Sequence, residues 1–567
     1  MFDEATIEAI QRAAGSWEAQ DLATAAARYP LRPHRTTLSG IPVKPLYTPA
    51  DVGGLDHERD VGFPGRYPFT RGPYAIGYLS RYWQARQYCG FGTGEATNQR
   101  LHQALRHGDT GLNVIIDLPT AYFGIDADDP RAEGEVGKTG VSVNSIEDMH
   151  AVFDGIPIER VSITFNTTSL TVLAMYFAMA EERGVPIERL RGSALNNPFA
   201  SYASCNSGCL PAPEDALREL GDIMEFCVRH MPGWNPTSIG GYELREGGAT
   251  AVQEVAFMFG NAIAYTEAFL RRGLRIDEVA PKYVFYFSLG NYFFEEVVKF
   301  RAARRIWARL ARERFGATTP EAMTFRVHTQ TSGLTLTAEQ PLNNIVRTTL
   351  QSLAAVLGGT NSLYTDPYDE ALCLPSELAL RTAVRVQQII FEESGVADTI
   401  DPLGGAYCVE ALTNTFEARV WALLEEIERR GGMAAAIESG WVQGELERSA
   451  RAYQEAVRRG ERTVVGYNRY RVEDEVVDYG VFQVDPAQEE AQKARLRDLR
   501  ARREPARVAE GLAALRAATR EGTNLMRPCM GAAKARATFG EMTQTIYGEL
   551  RPFRDTFLRL KQKIHAF

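Results

Sequence analysis

The chain has 567 residues, of which 45% are hydrophobic and 24% are charged, and its formal net charge is -9. This composition is typical of a globular enzyme or scaffold, and the acidic balance argues against a protein that binds nucleic acid or an acidic membrane over a broad surface. The start, MFDEATIEAI, lacks the pattern of a secretory signal, and no run of about 18 apolar residues occurs. We therefore expect a cytoplasmic protein.

The cysteines and histidines give little indication of a metal site. Seven cysteines are scattered along the chain, which is typical of reduced thiols. Cys205 and Cys209 form the only close pair, and packing or pocket lining explains them better than metal binding. No HxH or HExxH grouping occurs. No metal site is predicted.

The amino-terminal region is predicted to contain short helices and extended chain. Residues 1–45 hold two helical stretches and then LRPHRTTLSGIPVKPLYTP, a proline-punctuated arm of the kind that lies on a neighbouring surface. From Gly62 the sequence is dense in aromatic residues, glycines and arginines. Either this segment packs as an aromatic arm on the end of the fold, or its arginines bind the phosphates and adenine of a bulky anionic ligand: Arg66, Arg71, Arg81 and Arg86.

Strand patterns then alternate with amphipathic helical patterns. Eight strands are predicted, at residues 112–118, 161–165, 192–195, 237–239, 283–288, 325–329, 359–363 and 404–408. The helices predicted between them include residues 172–183, 213–229, 251–272, 295–315 and 343–357. This alternation predicts the α/β class and a (β/α)8 TIM barrel.

Polar side chains follow the strands in the stretch from Phe325 to Pro375. In a parallel α/β fold, the loops after the carboxyl ends of the strands form the active face. We therefore expect one common pocket that is lined by Gln330, Ser332, Asn361, Tyr364, Asp366 and Glu370.

Beyond residue 410 helical patterns predominate. Helices are predicted at residues 414–430, 433–439 and 443–459, an extended piece at 464–470, a charged run of surface or linker helix at 487–518, and a closing helix pair after Asn524. Three regions are predicted: residues 1–60 with helices and an extended arm, the barrel at 61–410, and a mostly helical region at 411–567 for linking and subunit contact.

Many separate segments resemble one known family. They include YPFTRGPY, RQYCGFGT, IIDLPT, GIDADDPRAEGEVGKTGVSV, HTQTSGLTLT, NNIVRTTLQSLAAVLGGTNSL, EESGVADTIDPLGGAY and NLMRPCMGAAKARATFGE. Together, from about residue 60 to about 550, the chain resembles the methylmalonyl-CoA mutase family of adenosylcobalamin-dependent acyl-CoA mutases. The resemblance implies a barrel that is threaded by the pantetheine arm of coenzyme A and capped by the corrinoid at the strand ends.

One part of the family pattern is missing. The family's cobalamin module carries a DxHxxG motif whose histidine ligates cobalt, and the nearest match here, at Asp148, His150 and Phe153, lacks the glycine. We interpret His150 as a surface helix residue. The resemblance then implies the large subunit of a split mutase, which works with a small cobalamin-binding subunit in a heterotetramer of two large and two small chains.

The resemblance also implies site residues for a radical 1,2-rearrangement of an acyl-CoA. Tyr88 matches the tyrosine between substrate and corrinoid, and Gln330 and Glu243 complete the predicted catalytic set. The predicted cofactor-binding residues are Ser332, Gly333, Asn361, Asp366 and Glu370, of which Asp366 and Glu370 match residues that hold the adenosyl ribose. The predicted substrate-binding residues are Tyr74, Arg81, Arg86, Asn113, Leu195, Cys205, Asn235, Tyr242 and Lys282.

Three of these positions depart from the family pattern. Cys205 stands where methylmalonyl-CoA mutase has the arginine that binds the substrate carboxylate, and no Lys or Arg occurs from Gly192 to Leu217. Leu195 replaces a glutamine. Because burying an unpaired carboxylate is costly, a monocarboxylic acyl chain is favoured over methylmalonyl-CoA.

Glu243 is the third departure, because it follows Tyr242 where the family has a histidine that bonds the thioester carbonyl. A protonated carboxyl could donate the same hydrogen bond. Alternatively, Glu243 pairs with Arg245 or another nearby arginine and does no chemistry.

Alternatives remain open at this level. The chain could be a non-catalytic partner subunit, or a ligand-binding scaffold barrel. Within the mutase interpretation, isobutyryl-CoA and butyryl-CoA, 2-hydroxyisobutyryl-CoA, pivalyl-CoA or a longer branched acyl-CoA all suit the predicted pocket. Asn113, Asn196 and Asn197 either hydrogen-bond a substrate hydroxyl or cap the backbone.

Overall fold

The structure is a computed structural model that describes residues 3–29, 36–86, 88–106, 111–167, 169–204, 211–472 and 485–553. Cys205 and Cys209 lie outside the described residues. In the described part of the chain, no helix is long and apolar enough to cross a membrane.

The strands are short and all their ladders are parallel. They form two five-stranded sheets. One sheet has the order Gln84–Ala85, Ser362–Tyr364, Val327–Thr331, Tyr283–Leu289 and Thr237–Gly240. The other has the order Tyr88–Cys89, Gly111–Ile115, Ser162–Asn166, Gly192–Ala194 and Trp234–Asn235.

Two chain segments belong to both sheets. The run 84–89 pairs with Ser362–Tyr364 through its first half and with Gly111–Ile115 through its second half. The run 234–240 pairs with Gly192–Ala194 and then, beyond Pro236, with Tyr283–Leu289. Eight segments therefore follow one another in the order of a TIM barrel, although the ladders between the described residues form two sheets and not one closed sheet. This arrangement agrees with the predicted fold class.

One predicted strand is wrong. Residues 404–408 form a turn and the start of a helix, and run 84–89 takes the remaining place among the eight segments. Asp401 and Gly405 have φ of 50° and 88°, a left-handed backbone that does not continue a strand. The Gly405 N–H then donates to Glu410 Oε1 at 2.9 Å at the beginning of the helix.

The predicted helices agree with the structure to within a few residues, apart from an earlier start at Tyr407. Helix Ala251–Arg271 begins at a capping box between Thr250 and Gln253. Helix Asn343–Gly358 ends at Gly359, whose φ is 84°. The α-helices are Glu4–Trp17, Ala23–Arg28, Gly94–Arg106, Ile146–Val152, Leu170–Glu182, Pro198–Ser204, Pro213–His230, Tyr242–Glu246, Ala251–Arg271, Ile276–Val279, Phe293–Arg309, Pro320–Met323, Asn343–Gly358, Glu377–Glu392, Tyr407–Arg429, Met433–Glu438, Trp441–Arg458, Ala487–Arg502, Pro505–Glu521, Met526–Lys534 and Phe539–Tyr547.

Each sheet has its own large hydrophobic core. Around the sheet that contains Tyr283–Leu289, the core includes residues of helices Ala251–Arg271, Phe293–Arg309 and Tyr407–Arg429. Around the other sheet, helix Leu170–Glu182 packs together with residues 508–546 from the carboxyl-terminal helices. The predicted boundary at residue 410 falls inside helix Tyr407–Arg429, which belongs to the first of these cores.

The charged run at 487–518 agrees with the surface-helix interpretation, because most of its residues are exposed, but one face of it is packed on the barrel. It forms two helices, and the first, Ala487–Arg502, docks on loops that follow the strands. Gln492 Nε2 donates to Asp148 Oδ1 at 3.0 Å, and Arg500 pairs with Asp126 at 2.9 Å. The basic residues of this helix match carboxylates of the barrel, so its charges indicate a docking face. The predicted extended piece at 464–470 is a tight turn.

Candidate active site

A cavity of about 360 Å³ lies at the carboxyl ends of the strands. Strand ends and the loops that follow them supply its walls, as expected for a parallel α/β fold. The predicted residues that line it are Tyr88, Tyr242, Glu243, Gln330, Tyr364 and Glu370. Its other lining residues include Arg100, Ile115, Tyr122, Asn166, Tyr286 and Leu374.

A chain of hydrogen bonds crosses this cavity from one sheet to the other. The hydroxyl oxygens of Tyr88 and Tyr286 are 3.1 Å apart. Tyr286 donates to Gln330 Oε1, and Gln330 Nε2 donates to Asp366 Oδ1 at 2.8 Å. Thr331 Oγ1 donates to Asp366 Oδ2 at 2.8 Å. Tyr88, Gln330 and Asp366, predicted from separate motifs, are thus joined in one network through Tyr286, which sequence reasoning missed.

Aromatic rings fix the shape of the cavity. The rings of Tyr242 and Tyr286 are stacked, with centroids 4.8 Å apart and an interplanar angle of 3°. Tyr364 meets Tyr88 edge to face with centroids 4.6 Å apart. Such contacts restrict ring rotation, so the Tyr88 hydroxyl has a defined position before any ligand binds.

Glu243 lies on the short helix Tyr242–Glu246 and lines the cavity. Burial raises the pKa of its carboxyl from 4.5 to about 7. Its Oε2 atom is buried and makes no hydrogen bond within the described part of the chain. Arg245 instead pairs with Glu296 at 3.2 Å, so the alternative that Glu243 pairs with Arg245 is wrong. A carboxyl of this kind is available to a ligand.

A buried ionic cluster lies behind this helix. Lys299 Nζ is 2.8 Å from Glu254 and 2.5 Å from Glu296, and it donates to the Ser288 carbonyl at 2.6 Å. Arg245 joins the cluster through Glu296 and also donates to the Ala249 carbonyl at 2.6 Å. The helix that carries Tyr242 and Glu243 is therefore held from behind by ion pairs.

Glu246 is a second residue that sequence reasoning missed. Its carboxylate accepts hydrogen bonds from Ser288 Oγ at 2.6 Å, from Ser332 Oγ at 2.7 Å and from the Leu334 N–H at 2.9 Å. The predicted residues Ser332 and Gly333 thus lie in a loop that Glu246 holds beside the site. In the sequence, Glu246 is only a glutamate that follows Glu243 by three residues, and this spacing does not indicate that it holds a loop.

Two further carboxyl groups stand on the loop after strand Ser362–Tyr364. Burial and the charge of Glu370 raise the pKa of Asp366 well above its usual range. Glu370 is open to the cavity, yet crowding by the protein, followed by the charges of Asp369 and Glu246, raises its pKa to about 7. No hydrogen bond to the Glu370 carboxylate is formed within the described residues, so it is an available acceptor for hydroxyl groups.

Other predicted residues lie in the barrel interior or at the opposite end. Arg86 Nη1 donates to Asn113 Oδ1 at 3.0 Å and to Thr164 Oγ1 at 2.7 Å, which places both Arg86 and Asn113 in the interior. Asn361 is wrongly predicted to share the main pocket. It precedes its strand, bonds the Val327 N–H through Oδ1 at 2.8 Å, and lines a small second cavity with Tyr74. An asparagine before a strand lies at the amino end of a parallel sheet.

The remaining predicted residues have different surroundings. The Lys282 ammonium donates to the carbonyls of Met231, Pro232 and Trp234, so its donors are used within the chain. Leu195 is buried at a strand end, Asn235 pairs in register with Ser193, and Arg81 is exposed. Asn197 donates to the Gly240 carbonyl at 3.0 Å, as a backbone cap would.

Enzymes with a parallel α/β framework have their active sites at the carboxyl ends of the strands, where this cavity lies. The sequence model of the family described as methylmalonyl-CoA mutase matches residues 36–550. The chain belongs to the methylmalonyl-CoA mutase family, and it is an isomerase of the mutase type.

Individual relatives cover most of the chain. It is 41% identical to the 2-hydroxyisobutanoyl-CoA mutase large subunit of Aquincola tertiaricarbonis over 96% of this chain and 98% of the relative. It is 42% identical to the methylmalonyl-CoA mutase of Cereibacter sphaeroides over 94% of this chain and 77% of the relative. The methylmalonyl-CoA mutase large subunit of Streptomyces virginiae is 41% identical over 90% of this chain and 71% of the relative.

Proposed function

We propose that the chain is the large subunit of an adenosylcobalamin-dependent acyl-CoA mutase, which catalyses a radical 1,2-carbon-skeleton rearrangement of an acyl-CoA. The observation that carries this proposal is the meeting of Tyr88, Gln330, Glu243 and Glu370 around one cavity. The proposed partner is a small cobalamin-binding subunit in a heterotetramer of two large and two small chains, and the proposed location is the cytoplasm. The name of the Aquincola relative, a large subunit, supports a split enzyme.

The proposed substrate is a monocarboxylic acyl-CoA. Glu243 and Glu370 line the cavity, and Arg100 is the one cationic side chain among its described lining residues. Arg100 lies against the Phe91 ring, with its guanidinium carbon 5.6 Å from the ring centroid. A substrate carboxylate deep in this cavity would be desolvated beside two acidic groups, which is costly. An isobutyryl, 2-hydroxyisobutyryl or pivalyl chain has no such cost.

The proposed role of Glu243 is to hold the thioester carbonyl. A carboxyl whose pKa is about 7 keeps its proton in a substantial fraction of molecules at neutral pH. In that form it donates a hydrogen bond to a carbonyl oxygen, as a protonated carboxylic acid does in other apolar sites. Tyr88 and Tyr242 restrict the position of the acyl chain on either side, and the ring-lined cavity excludes water from it.

The residues present fit an adenosyl group at the strand ends. Glu370 offers a carboxylate without a protein donor, and Asp366 stands on the same loop, so both suit a ribose diol. When bound, adenosylcobalamin would supply the radical that abstracts hydrogen from the acyl chain. This chain's own contribution is to bind and orient the acyl-CoA and to keep the site dry.

A non-catalytic partner subunit is the alternative. Replacement of the family's histidine, glutamine and arginine by Glu243, Leu195 and Cys205 would suit a chain that has lost its activity. The intact network of Tyr88, Tyr286, Gln330 and Asp366 favours the active interpretation, because a chain without catalysis has no need of it.

A turnover screen tests the proposal. The chain is mixed with a small cobalamin-binding subunit of this family from the same organism and with adenosylcobalamin, and isobutyryl-, 2-hydroxyisobutyryl-, pivalyl- and methylmalonyl-CoA are offered. Isomer formation is read by mass spectrometry. We expect turnover of a monocarboxylic substrate and none of methylmalonyl-CoA.

Two other outcomes would change the conclusion. Turnover of methylmalonyl-CoA that disappears in Arg100→Met would contradict the monocarboxylic assignment and identify Arg100 as the carboxylate partner. If no acyl-CoA of the panel is isomerised although the complex forms, the result would support the non-catalytic alternative.

A further inference from the structure

Tyr286 has no role in the functional assignments made so far, yet it lies at the centre of the candidate site. We propose that Tyr286 is a positioning residue that fixes the Tyr88 hydroxyl and uses up its proton, so that Tyr88 faces the acyl chain as a hydrogen-bond acceptor only. The expected effect on turnover rests on the proposed function, whereas the fixed orientation of the Tyr88 hydroxyl does not depend on it.

The position of Tyr286 is fixed from several sides. It lies on strand Tyr283–Leu289, in the middle of one sheet, and only 2% of its surface is exposed. Its ring stacks on Tyr242 on one side and lies 4.9 Å, centroid to centroid, from the ring of His328. His328 is in turn held by Ser362 Oγ at 2.7 Å from Nδ1. The phenol of Tyr286 therefore has one orientation, with its oxygen directed at Tyr88 and Gln330.

The hydrogen bonds around Tyr286 also have a direction. Gln330 Nε2 donates to Asp366 Oδ1 at 2.8 Å, so the Gln330 carbonyl oxygen points the other way, towards Tyr286. Tyr286 has a single hydroxyl proton, and it donates this proton to Gln330 Oε1. The contact of 3.1 Å between the two tyrosine oxygens must therefore use the proton of Tyr88.

A consequence for the reaction follows from this direction. Tyr88 presents lone pairs, not a proton, to the cavity, and it is attached through Tyr286 to the opposite sheet. The acyl carbonyl then needs its hydrogen-bond donor elsewhere, and Glu243, which lines the same cavity, has a buried carboxyl oxygen without a partner in the described chain. Tyr88 therefore limits the position of the acyl chain, and Glu243 donates the hydrogen bond to the acyl carbonyl.

The test removes only the Tyr286 hydroxyl, in Tyr286→Phe, which keeps the ring stack. The first readout is ¹⁹F NMR of the cofactor-free protein with 3-fluorotyrosine introduced at position 88. We expect one sharp resonance in the parent protein, and a shifted and broadened one in Tyr286→Phe. Gln330→Leu takes away the acceptor of Tyr286 and frees the Tyr286 proton for Tyr88, so it should also shift this resonance.

The matched control is Tyr283→Phe on the same strand. Tyr283 is buried, but its hydroxyl bonds Thr266 Oγ1 at 2.9 Å, within the outer core. This variant removes the same atom from the same strand and should leave the fluorine resonance of position 88 unchanged.

The second readout is the kinetics of the assembled enzyme with its substrate. Loss of one positioning hydrogen bond should lower kcat about tenfold in Tyr286→Phe and leave KM within about twofold. An unchanged fluorine resonance in both Tyr286→Phe and Gln330→Leu would overturn the proposal. A parent enzyme without turnover on any acyl-CoA, together with the expected change in the resonance, would refute the proposed function and leave the positioning role standing.

Discussion

At the scale of single residues, Glu243 shows how the surroundings set the chemistry of a side chain. The sequence places it next to Tyr242 on the motif GYELREGG, but it does not show that Arg245 turns away to Glu296 and leaves the buried Glu243 carboxyl without a cationic partner beside the cavity. Burial then raises its pKa to about 7. A proton donor at neutral pH is thus created by burial of the carboxyl without a nearby cation.

The shifted pKa of Glu243 predicts how stability depends on pH. Between its ordinary pKa of 4.5 and about 7, the folded protein holds a proton that the unfolded chain releases, so the free energy of unfolding falls as pH rises through this window. In Glu243→Gln this decrease in the free energy of unfolding should be absent. Relative to the parent, the variant should gain up to about 3 kcal/mol between pH 5 and pH 8, measured by urea unfolding of the cofactor-free chain. The exposed control Glu321→Gln should show no such gain, and an equal pH slope in Glu243→Gln and the parent would contradict the assignment.

At the scale of elements, the five-residue helix Tyr242–Glu246 depends on ion pairs behind it. Such a short helix has little stability of its own. Arg245 is tied to Glu296, Glu296 and Glu254 are tied to Lys299, and all four side chains are buried. The cluster links the helix to Ala251–Arg271 and Phe293–Arg309.

Removal of the central cation should therefore be severe. Lys299→Met leaves Glu254 and Glu296 without their nearest partner in a buried site, and it should lower the free energy of unfolding by about 3–5 kcal/mol. Denaturant unfolding measures this loss. Arg451→Met, which breaks an exposed i,i+4 pair with Glu447, should change stability by less than about 0.5 kcal/mol. Similar effects of the two substitutions would show that the cluster does not hold the fold.

The elements also show what sequence patterns can predict. Helices such as Pro213–His230 and Ala251–Arg271 were predicted to within one residue, because their periodicity and caps are local. The two-residue strand Gln84–Ala85 contains too few residues for a pattern, and its place is decided by pairing with distant chain. Tyr286 and Glu246 were missed for the same reason, since their partners at Gln330 and Ser332 are distant in sequence.

At the scale of the whole molecule, the carboxyl-terminal helices complete one of the two hydrophobic cores. Leu515, Met526, Met530 and Phe539 are buried against residues of helix Leu170–Glu182 and its neighbours. A region that the sequence suggested for linking and subunit contact thus also covers the barrel.

Truncation tests this role of the last helices. A chain that ends at residue 504 lacks Pro505–Glu521, Met526–Lys534 and Phe539–Tyr547 and exposes the apolar face of Leu170–Glu182, so we expect an insoluble product or one that melts far below the parent. A chain that begins at residue 29 loses helices Glu4–Trp17 and Ala23–Arg28, which contain no buried residue, and it should melt close to the parent. The solubility and the Tm of both truncated chains are measured. A chain that ends at residue 504 but has the solubility and Tm of the parent would show that the last helices do not complete the core.

The two runs that belong to both sheets, 84–89 and 234–240, have a mechanical consequence. They occupy the first and fifth places among the eight segments, so they divide the wall into two half-shells, each with a core of its own. Two side-chain contacts also join these half-shells: Arg86, whose N–H donates to the Leu363 carbonyl of one half while its side chain reaches Thr164 of the other, and the Tyr88 to Tyr286 bridge. Polar side chains inside the barrel thereby hold the two half-shells together in addition to the backbone ladders.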